Sequence, residues 1–201
     1  MYTNDIWNFM LRRGNGHNPS EGACLMDAVS WFEYGTLGDH PECVCPVIAA
    51  YCRNVNDAMT DAGRQKLKVF IPRLIGTRDE ASERERAEYL VWQAIKVFTP
   101  FWLDKAGMAA SAALLRGYEG SIEGARVHLE AIKKRAAYTS SSAYYAAYAS
   151  SASAYDAEWE PLGLAALDGV LRIGKQAEPL EPARVIAANK TFAKARQFTN
   201  S

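Results

Sequence analysis

Apolar side chains recur every three or four positions along most of this chain, the spacing that gives a helix one apolar face and one polar one. Leu25, Ala28, Val29 and Phe32 predict a helix over 23–34, closed by Gly35. Pro46 suits the first turn of the next, whose face carries Ile48, Tyr51, Cys52, Val55 and Met59. Thr60 restarts the pattern through Leu67, Phe70 and Ile71. Pro72 is expected to break or kink it, because its ring removes a donor and clashes one turn back. Ala87, Leu90, Val91, Ala94, Ile95 and Phe98 make the strongest helical pattern, preceded by Thr77 with Glu80 and Ser82 with Glu85 at capping-box spacing.

Shorter patterns fill the remainder. Thr3 is expected to cap a helix carrying Ile6, Trp7, Met10 and Leu11, which Gly14 ends. Helices are also predicted around 106–116, from Ser121 along Ile122, Ala125, Leu129, Ile132 and Ala136, and from Pro161 along Leu164, Leu167 and Leu171 to Gly174. A last one opens at Pro182 with Val185, Asn189 and Phe192. Segments 14–22 and 36–45 carry Gly and Pro in polar surroundings and read as loops. The best strand candidate, 67–71, alternates too briefly to outweigh helical spacing. The expected fold is all-α, a multi-helix bundle of about eight or nine helices. Its expected organisation is an amino-terminal helical subdomain over 1–76, carrying a cysteine-containing loop, and an alanine-rich helical bundle over 77–201, unless the two form one continuous domain.

Composition changes the picture at one place. Residues 136–157 are almost wholly Ala, Ser and Tyr with no Gly or Pro, which favours one long helix. Tyr138, Tyr145, Tyr148, Tyr155 and Trp159 then line one side, while small residues let a neighbouring helix come close. Lys plus Arg number 23 and Asp plus Glu 23, so no global field draws the molecule to nucleic acid or an acidic membrane. No run of residues is long and apolar enough for a membrane span, and the first residues lack the order of a secretion signal, so a cytoplasmic location is expected. All four cysteines lie between Cys24 and Cys52 and would be reduced there.

Three stretches stand out as motifs: Gly22-Ala23-Cys24-Leu25-Met26-Asp27-Ala28-Val29, Gly38-Asp39-His40-Pro41-Glu42-Cys43-Val44-Cys45-Pro46-Val47-Ile48, and Ile71-Pro72-Arg73-Leu74-Ile75-Gly76-Thr77, with Asn56-Asp57 between the last two. This block resembles a group of bacteriophage and bacterial proteins of uncharacterised activity, in which it precedes an alanine-rich helical half. The resemblance implies a phage or prophage setting, the host cytoplasm as location, and a protein that acts on host machinery. It implies no residue role.

Asp39, His40, Glu42, Cys43 and Cys45, with Cys24 on the preceding helix, form the one dense cluster of reactive side chains. Cys24, His40, Cys43 and Cys45 are the right types for tetrahedral zinc, but a single residue separates Cys43 from Cys45, where structural zinc sites favour two to four. No metal is therefore assigned. Cys45 stands at a helix start, where the positive helix end favours thiolate, and His40 nearby would make it an activated nucleophile. The simpler reading is small apolar thiols packed between helices, with Asp39 and His40 hydrogen-bonding a tight loop.

The other candidates are weaker. His17 and His128 stand alone and read as solvated side chains. Glu83, Glu85 and Glu88 interleave with Arg78, Arg84 and Arg86, the pattern of a solvated helix face. No glycine-rich loop follows a strand, so neither a P-loop nor a dinucleotide fingerprint is present and no cofactor is expected. The basic run 133–135 and the group Arg184, Lys190, Lys194 and Arg196 fall short of a nucleic-acid footprint.

The expected function is that of a non-enzymatic binding protein in a host-takeover or anti-defence role. It would engage a host protein or sequester a small host-derived ligand through Asp39, His40, Glu42, Cys43, Cys45, Tyr144, Tyr145 and Tyr148. The alternatives are a cysteine-dependent hydrolase or transferase using Cys43 or Cys45 with His40, and a zinc-stabilised adaptor. The closely packing alanine-rich helix also suits a homo-oligomer.

Overall fold

The computed structural model describes residues 9–14, 22–139 and 157–177. The fold is all-α: among these residues there is no strand, and seven helices have seven residues or more, slightly fewer than the sequence pattern predicts. No described helix is long and apolar enough to cross a membrane.

Helix α1 (Leu25–Tyr34) begins one turn after Gly22, and its cap is unusual. Cys24 Sγ accepts the Asp27 amide at 3.3 Å while Asp27 Oδ2 accepts the Cys24 amide at 3.2 Å, so a thiol fills the place of the usual hydroxyl in a reciprocal capping box. Gly35 ends the helix at φ 75°, a conformation that costs a residue without a Cβ little. Helix α2 (Pro46–Ala58) opens on proline as expected.

The run after Thr60 is helical in three different ways. Thr60 caps α3 (Asp61–Arg64), a 3-10 stretch follows over Gln65–Phe70, and α4 (Ile71–Leu74) carries Pro72 in its first turn. The break predicted at Pro72 is thus a change of winding, which leaves the proline where its missing donor is not needed. A 3-10 turn over Glu80–Ser82 leads into α5 (Glu83–Gln93).

The helical path continues past α5 through a π-turn over Ala94–Phe98 into α6 (Thr99–Lys105). The Thr99 amide reaches the Ala94 carbonyl five residues back, and this widened turn makes room for Pro100. Helices α7 (Ala109–Arg116), α8 (Ile122–Thr139) and α9 (Glu160–Val170) complete the described chain.

Two apolar clusters hold these elements. The first joins α1, α2, the 61–75 run, Phe9 and Leu11 with Leu167, Val170 and Leu171 of the α9 region. The second gathers Ile95, Leu103, Ala112, Leu115, Ala125 and Ile132, with Ile122 and Leu129 partly buried against it, so these four positions of the stripe predicted from Ser121 onward pack inward. Polar ties lock α9 onto the first cluster. Glu160, buried at its start, accepts from the Thr60 hydroxyl and amide and pairs with Lys66 at 3.2 Å. A Cβ on Gly63 would come within 1.9 Å of Glu160 Oε1, so the glycine makes that approach possible. Asp168 pairs with Arg73 at 2.7 Å, and the Tyr51 hydroxyl donates to the Gly163 carbonyl.

Several expectations are corrected. Met10 and Leu11 are not helical: Leu11 bridges to Ala23 in parallel, and the Gln65 side chain donates to its carbonyl and accepts from its amide. With both amide groups so engaged, an extended backbone satisfies this segment better than a helix. Neither predicted capping box forms. The Thr77 hydroxyl donates to the Leu74 carbonyl, and the Ser82 hydroxyl donates to Asp79. Arg86 is no part of a solvated face: it is wholly buried and its guanidinium donates to the carbonyls of Thr77, Ile173 and Lys175. Arg84, by contrast, does pair in solvent with Glu88 one turn on. The helix predicted from Pro182 and most of the 136–157 segment lie outside the described residues.

Two measurements follow. Arg86→Ala leaves the buried Thr77 carbonyl and the part-buried carbonyls of Ile173 and Lys175 without their donor and is expected to lower stability by about 3 kcal/mol in chemical denaturation, whereas Arg84→Ala changes little. Burial opposes the charge of Glu160, but hydrogen bonds from Thr60 and Lys66 outweigh it and hold the carboxyl below its ordinary 4.5. A depressed carboxylate stabilises fully above the unfolded value and ceases to do so as pH falls through the folded one. Thermal melts are therefore expected to drop on acidification below about pH 4.5, and Glu160→Gln to flatten that acid limb.

Candidate functional site

The segment between α1 and α2 carries the sequence-predicted contact residues, and its backbone acts as a joint. After Gly35 the chain reaches Asp39, whose Oδ1 lies 2.6 Å from His40 Nδ1 and whose carbonyl accepts from Arg53 of α2 at 2.9 Å. The Val44 amide then donates to the Pro41 carbonyl, closing a turn. Cys43 sits at its centre. Its amide donates to Tyr34 Oη at 2.9 Å, and its carbonyl accepts from the amides of Gly76 and Arg78, both at 3.1 Å. The Cys45 amide donates to Thr77 Oγ1 at 3.3 Å. One loop thus ties the end of α1, the start of α2 and the 74–78 turn together.

The structure treats the predicted residues unequally. His40 and Glu42 are exposed, Asp39 and Cys43 are half-buried, and Cys45 is fully buried. Tyr34, at the end of α1, joins them as an exposed phenol against Cys43. Sequence spacing gave no sign of it, since only Gly35 turning the chain back brings Tyr34 over the loop. Tyr144, Tyr145 and Tyr148 lie outside the described residues, as does His17. His128 is half-buried with its ring edge-on to Tyr118 at 5.2 Å, rather than free in solvent.

Three of the four thiols, those of Cys24, Cys45 and Cys52, are buried, and Cys43 is half-buried. All four cysteines are free. Loss of water pushes the Cys43 thiol up, against hydrogen bonds from Tyr34 and Gly76 that favour thiolate. Burial also raises Cys24 to about 12 and pushes Cys52 up. Tyr34 rises to about 12, first through lost hydration and then through its contact with Cys43. The hydrogen-bond partner found for the His40 ring is Asp39, not a cysteine. Nor is the tetrahedral zinc set assembled: among the described residues no three of His, Cys, Asp and Glu are grouped to hold a metal ion.

What remains at the surface is an imidazole beside a carboxylate, a second carboxylate at Glu42, a phenol and the edge of the Cys43 thiol. These groups can donate and accept hydrogen bonds. No family model matches the chain, and neither a curated protein nor a solved structure is found similar to it.

Iodoacetamide added to the folded protein at mildly alkaline pH is expected to label Cys43 slowly and to leave Cys24, Cys45 and Cys52 untouched until denaturant is added. Mass spectrometry of the labelled peptides reads this directly. Rapid alkylation of Cys43 or Cys45 at neutral pH would show an activated thiol instead.

Proposed function

We propose that this chain is a non-enzymatic binding protein of phage type that engages a host protein, with the exposed rim of the 39–45 loop as its contact surface. One observation carries the reading: the reactive-looking loop spends its backbone on holding three elements together and its thiols on packing, while His40, Glu42 and Tyr34 face outward on that rigid frame. A surface held this way loses little freedom on binding, which suits recognition without chemistry. The resemblance of the amino-terminal block to phage and bacterial proteins favours a host partner, met in the host cytoplasm. Sequestration of a small host-derived ligand is the other form of the same reading.

The test is capture of partners from host lysate on immobilised protein, comparing the native chain with His40→Ala/Glu42→Ala, two exposed changes expected to leave the fold intact. A host protein retained by the native chain and lost at least tenfold on the variant, with unchanged melting temperature, is the expected result. Turnover of a nucleotide, peptide or nucleic acid that disappears on Cys43→Ala would overturn the reading in favour of an enzyme.

A further inference from the structure

Lys68 lies on the 3-10 stretch, where a three-residue period sets it on the same side as Gln65 and Ile71. Gln65 holds Leu11, so this side faces the extended residues 9–11. Only 6% of Lys68 is exposed, and its ammonium lies 5.4 Å from the centre of the Phe9 ring. Among the described residues no carboxylate pairs with it, and burial alone acts on its charge, lowering it from the ordinary lysine value of 10.5. The contrast with Lys66 is sharp, since that side chain is 57% exposed and reaches Glu160 at 3.2 Å. The stem of Lys68 is what the fold encloses; Nζ is not among the polar atoms sealed inside without a partner.

An ammonium that has given up part of its hydration and, among the described residues, meets only a ring face is held at a cost, which disappears when the nitrogen becomes neutral. We propose that Lys68 is an acylation site, whose amine takes an activated acyl group from an acyl phosphate or an acyl thioester. The nitrogen lone pair forms the new N–C bond, and the C–O or C–S bond to the phosphate or thiolate leaves with its electron pair. The surplus proton on nitrogen passes to solvent, and nothing is oxidised or reduced. The product amide is uncharged and suits a place with an aromatic ring above it and, among the described residues, no counter-ion. Lys66, solvated and paired, gains nothing from the same change.

The full-length folded chain is incubated at neutral pH with acetyl phosphate in one arm and acetyl coenzyme A in the other, and site occupancy is read by peptide mass spectrometry. Lys68 is expected to acetylate several-fold faster than Lys66 in one arm or both, and the arm that responds identifies the donor. The preference is expected to vanish in urea. A Lys68 rate at or below that of Lys66 in both arms overturns the proposal, as does a preference that survives unfolding, which would reflect local sequence. Lys68→Met checks the premise independently: the melting temperature is expected to hold or rise, and a fall would show a stabilising partner for the ammonium and overturn the site.

Discussion

Arg86 is the interaction on which the rest of this architecture leans. A guanidinium without solvent must place its donors on oxygen, and here the acceptors come from two distant parts of the chain, Thr77 on one side and Ile173 with Lys175 on the other. That requirement closes the molecule. It holds the turn after α4 against the end of the α9 region, so the first apolar cluster is completed by Leu167, Val170 and Leu171. Asp79 adds to the same joint by accepting the Lys175 amide and the Ser82 hydroxyl. Gly174, at φ 66°, is needed there, because a Cβ would strike Ser82 Oγ.

The 39–45 loop obeys a similar rule at a smaller scale. Its backbone groups are satisfied across elements: Tyr34 takes the Cys43 amide, Gly76 and Arg78 share the Cys43 carbonyl, and Thr77 takes the Cys45 amide. Once the backbone is occupied in this way, the positions of the side chains follow. Cys45 must point into the core where α2 begins, whereas His40 and Glu42 stay outside. The proposed contact surface is therefore a by-product of how two helices and a turn are joined, and its rigidity comes from the same hydrogen bonds.

The helices were largely legible in the sequence because their faces are amphipathic and their ends carry glycine or proline. Gly35, Pro46 and Pro161 mark boundaries that the structure keeps within a residue or two. What misled the reading was local charge and local caps. Arg86 stands among glutamates and arginines exactly as a solvated residue would, and nothing nearby in sequence reveals the carbonyls that bury it. Cys24 does a hydroxyl's work at a helix start, which its residue type does not advertise. The candidate loop was visible as a cluster, but the partner that bears on its thiol, Tyr34, was hidden because the turn at Gly35 must first bring it over.

By itself the sequence determined that the chain is helical, where most helices start and stop, and which faces are apolar, since these depend on interactions within a few residues. Only the tertiary structure decided which polar groups would be buried, how α9 returns to the amino-terminal core, and that Pro72 and Pro100 are absorbed by a 3-10 stretch and a π-turn. The physical reason is range. Helical periodicity is a property of neighbours, whereas the fate of a guanidinium, a lysine or a carbonyl depends on which remote groups the packed chain places within three ångströms of it.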